Sequence, residues 1–349
     1  MSSPRVTALI NTYNYGHFVE EAIESALAQD FPASEMEILV VDDGSTDDTR
    51  ERVERYRDRV RYLWKPNGGQ ASAINLGYVQ ARGEIIALLD ADDVWLPQKI
   101  RRVVETFDRQ PACGMISHKR WVWNTDQQST IEDPDLPILS GSFPPTGTDL
   151  LRFGASSTSG LTFRKSVAEP VFPIPDSMTL LVDAYVQLLL LFLTPIAMLN
   201  EPLFKYRVHS NNLFHFGEGD ATRVDHKLRA TRALIGESRT WLDAHGFDTG
   251  APELSVFLLR FDLIERESQF QARGAGRLEF FRHLELHRKV YGPLWTRRYR
   301  AYRWLMSYVA LVLGYRGFEK LRSRHGQGGA SLQLRRHLLP AGTAESLSP

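Results

Sequence analysis

Residues 84–97 read EIIALLDADDVWLP, in which the apolar run Ile85 to Leu89 leads directly into three carboxylates, Asp90, Asp92 and Asp93. A short unbroken apolar run predicts a strand buried on both faces. Carboxylates clustered at the end of such a strand repel one another and lose hydration together, so they need a cation or hydrogen bonds to stay charged there. A hard divalent ion with oxygen ligands, Mn2+ or Mg2+, is the simplest compensation. A helix N-cap is the competing reading, because Asp is favoured there and Trp95 to Lys99 starts a helical pattern.

Working outward, the first hundred residues alternate strand and helix patterns. Strands are predicted at Val6 to Asn11, Glu37 to Val41, Val60 to Trp64 and Glu84 to Leu89. Helices are predicted at Phe18 to Gln29, Asp47 to Tyr56, Ala71 to Ala81 and Lys99 to Arg109. Such βαβα alternation implies an α/β fold with a largely parallel sheet covered by helices. Ligands of such sheets sit beyond the carboxyl ends of the strands. Past Gly114 the pattern loosens, and the Pro-, Asp- and Ser-rich stretch Thr130 to Gly147 reads as an irregular surface loop. An apolar helix follows at Leu180 to Leu193, then a strand at Ala197 to Tyr206. Helical periodicity then dominates, at Lys227 to His245, Leu254 to Gln271, Leu278 to Tyr291 and Arg300 to Leu321. The division expected is a catalytic α/β domain over 1–218, a helical extension over 219–322 and a disordered tail over 323–349, with no internal repeat.

Composition narrows the function classes. The 349 residues are 43% hydrophobic and 24% charged, enough apolar material for a substantial core. Lys and Arg balance Asp and Glu at 42 each, so no global field argues for a nucleic-acid partner. Cys113 stands alone, which excludes an intramolecular disulfide framework and a cysteine-rich metal cluster and fits the cytosol. The opening MSSPRVTALINTYN reads as a first strand rather than a signal peptide. Trp304 to Tyr315 is shorter than the roughly 17 to 25 residues a spanning helix needs.

Two further loops lie where ligands are expected. Asp42 and Asp43 close the second strand and lead through Gly44 and Ser45 into a helix. A carboxylate there can accept a hydrogen bond from a nucleobase imide, or serve as a cap, the role assigned to Asp47 and Asp48. In PNGGQA, Pro66 to Ala71, two glycines precede a helix, where backbone can approach a ligand and amide hydrogens can meet an anion.

Taken together and in order, VTALINTYNYGHFVEEAIESALAQ, EILVVDDGSTDDT, NGGQASAINLGYVQARGEIIALLDADDVWLPQKI, VDAYVQLLLLF and YRVHSNN resemble the family 2 glycosyltransferases across roughly residues 5 to 213. The resemblance implies the inverting GT-A fold, a Rossmann-like mixed sheet flanked by helices, here with a C-terminal helical extension. It also implies a nucleotide-sugar donor, with uridine the favoured base, and an acceptor hydroxyl on a saccharide or lipid carrier, in surface polysaccharide or glycoconjugate synthesis. By similarity Asn11 and Tyr13 lie near the nucleobase and Asp43 bonds it, while Gly69, Gln70 and Asn75 pack against the nucleotide. Asp90 and Asp92 match the DXD motif, Asp92 as the main metal ligand and Asp90 facing ribose and metal. His209 matches a histidine near the diphosphate or metal. Gly160, with Ser159 and Arg164 as weaker neighbours, matches a loop near donor sugar and acceptor.

The family's acidic pair before a helix, often Glu-Asp, reads Val182-Asp183 here, and Asp183 is the implied catalytic base. Partial burial would tune its basicity, and an N-cap for the following helix is its alternative role. Processive polysaccharide synthases of the wider family carry transmembrane helices and a QxxRW motif after the catalytic aspartate. SHKRW at Ser117 to Trp121 has Ser in place of Gln and lies upstream of Asp183, so it is read as coincidence. A nucleotide-sugar-binding module without transfer activity and a nucleotidyltransferase remain the other classes. Arginines flank the apolar part of the last helix, at Arg297, Arg298, Arg300 and Arg303 before it and Arg316, Arg322 and Arg324 after it, with Lys320. That pattern suits peripheral contact with the inner face of the cell membrane, or packing on protein, an oligomer partner included.

Overall fold

The computed structural model describes residues 3–125, 128–132, 156–209, 221–292 and 297–326. The chain divides into two compact units, Met1–Pro144 with Ala155–His215, and Pro145–Gly154 with Phe216–Pro349.

In the first unit the strands are β1 (Val6–Thr12), β2 (Met36–Asp42), β3 (Arg61–Trp64), β4 (Ile85–Asp90), β5 (Val94–Trp95), β6 (Met115–Asn124), β7 (Ser129–Glu132), β8 (Thr162–Arg164) and β9 (Ile196–Val208). The helices are α1 (Gly16–Leu27), α2 (Thr49–Glu54), α3 (Gln70–Gln80), α4 (Lys99–Arg109), α5 (Lys165–Ala168) and α6 (Val182–Leu193). They form one mixed sheet in the order β3-β2-β1-β4-β8-β6-β9-β5, with β7 on β6. β3, β2, β1 and β4 run parallel, whereas β8 pairs antiparallel to both β4 and β6. The α/β expectation is met, and the sheet is mixed because β8 interrupts the parallel series.

The central strands are apolar at nearly every position because both faces are covered. Val6, Ala8 and Ile10 share a face with Ile38, Val40, Ala87 and Leu89, and α1 and α4 close it with Val19, Ile23, Ile100, Val103 and Phe107. Leu9 points the opposite way, where α3 packs so tightly that a Cβ on Gly77 would lie 2.3 Å from it. Register then sets the site: Thr12 pairs with Asp42 and Asn11 with Asp90, so the polar residues that end three adjacent strands gather at one edge.

Two local expectations are corrected. The acidic cluster caps no helix: Val94–Trp95 is a strand on Phe204 and Lys205, and α4 begins only at Lys99 with Gln98 at its N-cap. The predicted loop from Thr130 starts as strand instead, since Ser129–Glu132 pairs with Trp121–Asn124 of β6; the rest of that loop lies outside the described residues.

The second unit contains α7 (Ala221–Ala244), α8 (Pro252–Arg273), α9 (Arg277–Tyr291) and α10 (Arg297–Gly326). Phe270, Phe280, Leu284, Ala310 and Phe318 form a core between α8, α9 and α10. α10 continues past the predicted end to Gly326 and is broken at Gly314, whose φ of 70° is non-helical; 327–349 lie outside the described residues. Among the described residues no helix is long and apolar enough to cross a membrane.

Gly83 precedes β4 against bare backbone, where an added Cβ would lie 2.4 Å from the Thr7 nitrogen and 2.6 Å from the Val6 carbonyl carbon. Backbone cannot swing aside as a side chain can. Gly83→Ala is expected to lower unfolding free energy by about 1–3 kcal/mol in urea denaturation, the range of overpacked interiors.

Candidate active site

Asp90 ends β4, and its cross-strand neighbour Asn11 donates Nδ2 to Asp90 Oδ1 at 3.0 Å. Gln70, the first residue of α3, donates Nε2 to the same oxygen at 2.9 Å, and the Asp90 amide donates to Ser159 Oγ at 3.0 Å. Asp92 and Asp93 occupy the turn between β4 and β5. Because Val94 pairs antiparallel with Lys205, continuing that register by two residues sets Asp92 against Arg207. The Arg207 amide donates to Asp93 Oδ1 at 2.9 Å and its Nε to the Asp92 carbonyl at 2.7 Å. His209, one residue past β9, brings Nε2 to 3.2 Å from Asp92 Oδ2. Tyr15 and Phe18 hold that imidazole by ring contacts at 5.8 and 4.9 Å.

Ligand oxygens of Asp90, Asp92 and Asp93 lie within 4.8 Å of one another. Burial first, then the Asp92 charge, pushes the Asp90 carboxyl up to about 7, and the same two causes raise Asp93 well above the carboxylate range. Buried oxygens Asp93 Oδ2 and Asn11 Oδ1 have no hydrogen-bond donor. Clustered hard oxygens, mutual repulsion and orphaned acceptors fit a hexacoordinating Mn2+ or Mg2+.

Asp43 is engaged differently. Its Oδ1 accepts from Lys65 Nζ at 2.6 Å and the Gly68 amide at 3.0 Å, and its Oδ2 accepts from the Gly69 amide at 2.7 Å. Gly69 has φ +87°, which turns its amide back toward Asp43 and which other residues adopt only with strain. Three of roughly four acceptor positions on the carboxylate are filled, leaving capacity for one more donor. Tyr13 follows β1 and is 48% exposed. Asp47 acts as a cap, its Oδ1 accepting from the Thr49 amide and its Oδ2 from Gly16.

Asp183 lies in the first turn of α6, with Oδ1 accepting from the Ala184 amide at 2.7 Å. Burial raises its carboxyl above the usual range; the Ala184 amide and the Arg120 charge oppose that rise. Its own charge is felt at Asp90, so the base candidate and the acidic cluster face one electrostatic environment. Gly160 is packed against Ser156 and Phe204, where a Cβ would come within 2.2 Å of the serine hydroxyl. The Asn75 amide is spent on both backbone groups of Ile174 at 2.8 Å, which braces the segment ahead of α6. Arg164 donates to the carbonyls of Cys113 and Phe107.

Three participants escaped sequence reasoning. Lys99 is fully buried, donates Nζ to the Ser159 carbonyl at 2.6 Å and lies 4.0 Å over the Trp95 ring. Burial holds its ammonium well below the lysine range. Its signal was a lysine in register with the buried Val103 and Phe107 of α4. Arg120, within the SHKRW segment, faces Asp183 electrostatically, and Arg207 ties down the acidic turn. Arg120 lay in a segment read as coincidence, and Arg207 had no readable local pattern.

Comparison with known proteins shows the family and the fold. The family model described as glycosyl transferase family 2 matches residues 7–167. An uncharacterised glycosyltransferase of Nostoc sp. is 36% identical over 227 residues, covering 62% of this chain and 69% of that protein. This chain belongs to glycosyltransferase family 2. A Rickettsia prowazekii glycosyltransferase, also uncharacterised, is 40% identical over 148 residues, 39% of this chain and 46% of its own. Among solved structures, S. aureus TarS 1-349 in complex with UDP-GlcNAc superposes with TM-score 0.60 at 17% identity, over 89% of this chain and 91% of that one. The mannosyltransferase PcManGT from Pyrobaculum calidifontis, in complex with GDP-Man and Mn2+, gives 0.52 at 17% identity over 93% and 85%. These two likenesses speak to the GT-A fold of this family 2 glycosyltransferase.

The acidic cluster predicts metal-linked stability. Mn2+ at about 100-fold over its Kd should raise unfolding free energy by about 2.7 kcal/mol. The gain should vanish with chelator and in Asp92→Ala; a thermal shift of equal size in the variant would place the ion elsewhere.

Proposed function

We propose that this glycosyltransferase moves a sugar from a nucleotide-diphosphate donor, a UDP-sugar by family resemblance, to a hydroxyl of a saccharide or lipid-linked acceptor, with inversion at the anomeric carbon. The synthesis of a surface polysaccharide or glycoconjugate is the setting we favour, at the cytoplasmic side of a membrane. The observation that carries the reading is the pairing of a clustered set of metal-competent carboxylates with Asp183, a half-buried carboxylate of raised pKa whose charge reaches Asp90.

In this reading Asp43 accepts one hydrogen bond from the base imide through its remaining capacity, and Asn11 and Tyr13 line the base. Gly69 and Gln70 border the nucleotide, while Asn75 acts by bracing and Gly160 by allowing close packing beneath the sugar. Asp92, with Asp90 and His209, would hold Mn2+ or Mg2+, whose positive charge stabilises the departing diphosphate. Asp183 takes the acceptor proton as the acceptor oxygen bonds to the anomeric carbon. The bond from that carbon to the diphosphate oxygen breaks, and its electron pair leaves with the nucleoside diphosphate.

A panel of nucleotide sugars, with and without Mn2+ or Mg2+, tests the proposal through release of nucleoside diphosphate and transfer to saccharide and lipid-linked acceptors. Donor binding without release would leave a binding module. Pyrophosphate release from a sugar phosphate and a nucleoside triphosphate would make the protein a nucleotidyltransferase.

Asp183→Asn should lower kcat by about 10² to 10⁴ while leaving donor affinity nearly intact. Near-native turnover in that variant would remove Asp183 from the role of base.

The sign of the pH dependence follows from the raised Asp183 carboxyl. A base acts only when deprotonated, so kcat/KM should fall as pH drops through a value above the ordinary carboxylate range. Arg120→Gln removes a charge that favours the carboxylate, and should move that limb to higher pH. An unshifted limb would disconnect the profile from Asp183.

A further inference from the structure

A surface helix ordinarily turns its charged side to water. α10 does not. Between Arg303 and Arg316 it carries no charged residue, and its inward stripe of Ser307, Ala310 and Gly314 is buried against its own unit. The outward stripe is therefore apolar: Val312 is 69% exposed, Leu305 57%, Trp304 49% and Tyr308 44%. Leu278 on α9, 55% exposed, enlarges the apolar surface, and Phe281 and Trp304 both pack on Tyr308, at 5.6 and 4.8 Å. From Trp304 to Val312 the stripe is about 12 Å long at the rise of an α-helix.

Both ends of the stripe are basic. Arg297 and Arg298 stand exposed at its start. At its other end the break at Gly314 opens a cleft of about 590 Å³ lined by Arg273, Arg277 and Arg316. Glu279 neutralises Arg273 at 2.9 Å. Arg277 packs over Gly314, and neither it nor Arg316 forms an ion pair among the described residues.

We propose that this face of the helical unit docks on an anionic phospholipid surface, with Trp304, Leu305, Tyr308 and Val312 entering the interface and Arg277 and Arg316 taking lipid phosphates. Aromatic residues with an apolar body and a polar tip suit the boundary between acyl chains and headgroups, and arginine forks suit phosphate oxygens. Charge selects this occupant over two others. A second copy paired across a two-fold axis would bring arginine-flanked ends against arginine-flanked ends. The chain beyond Gly326 contributes Arg335 and Arg336 against a single acidic residue, Glu345, so it is of like sign. An anionic bilayer is complementary to both ends and to the stripe between them.

The inference deepens the proposed lipid-linked acceptor, since a docked enzyme meets such an acceptor at the membrane. It stands on the helical unit alone, and its test needs neither donor nor acceptor, so it can fail or succeed apart from glycosyl transfer. The full chain is sedimented with vesicles of mixed phosphatidylglycerol and phosphatidylcholine and with vesicles of phosphatidylcholine alone. Wild type should bind the anionic vesicles and weaken as salt rises. Leu305→Glu with Val312→Glu should lose about tenfold or more in partitioning, and Arg277→Gln with Arg316→Gln should lose about tenfold with a shallower salt dependence. Thermal midpoints should stay at the wild-type value because these side chains face water; the milder Val312→Gln, read the same way, covers the case in which a double variant does not fold. Wild type that ignores anionic vesicles, or variants that bind as wild type does, would overturn the proposal. So would self-association seen by light scattering in wild type and abolished by Leu305→Glu, which would assign the face to a second copy.

Discussion

Three carboxylates within 4.8 Å at the end of a buried strand are the constraint around which the first unit is organised. Left in an apolar edge they would take up protons, as the raised Asp90 and Asp93 carboxyls indicate. Each neighbouring element answers part of that cost. β1 supplies Asn11 by register, α3 supplies Gln70 from its first turn, and β9 supplies the Arg207 amide and guanidinium. Lys99 braces the site one bond further back, donating Nζ to the Ser159 carbonyl, while the Ser159 hydroxyl accepts the Asp90 amide. What these partners do not satisfy, Asp93 Oδ2 and Asn11 Oδ1, is the part a divalent ion would complete.

The mixed topology follows from the same need. In an all-parallel continuation the neighbour of β4 would enter from the far edge, and the residues preceding it would be remote from Asp90. β8 instead runs antiparallel, so the turn Thr158–Gly160 immediately before it lies beside the end of β4. β9 then runs parallel to β6 and antiparallel to β5, which delivers Arg207 and His209 to the acidic turn. The switch from parallel to antiparallel pairing thereby gathers residues from across the chain at one edge, where α/β sheets place ligands.

How much of this could be read from the chain alone depended on whether the signal was local. The strands β1, β2 and β4 are continuous apolar runs, and the long helices of the second unit repeat at helical spacing, so both were legible to within a few residues. The Asp90-Asp92-Asp93 cluster was legible because clustered charge directly after an apolar run is itself anomalous. Val94–Trp95 was misread as leading into a helix because a two-residue strand has no periodicity; only its pairing with Phe204 and Lys205 defines it. Ser129–Glu132 was absorbed into a loop for the same reason, being an edge strand beside a Pro- and Ser-rich stretch. The bonds from Asn75 to Ile174 and from Lys99 to Ser159 join residues 60 to 99 positions apart, and spacing along a chain does not encode such partners.

The Val182-Asp183 pair illustrates how a departure from a family pattern can be accommodated. Val182 is 1% exposed, so a Glu in that place would carry a second charge into a buried position beside Asp183. With valine there, Asp183 is influenced by burial, by the Ala184 amide at the start of α6 and by the more distant Arg120, rather than by an adjacent carboxylate. The chain reaches that geometry through Leu181, whose φ of 61° is uncommon for leucine and turns the backbone directly into the helix. Such backbone persists only where surrounding packing over-determines it, and here buried Leu180 and Val182 flank it on both sides. The arrangement presents a single half-buried carboxylate from a helix N-terminus whose dipole favours its charged form.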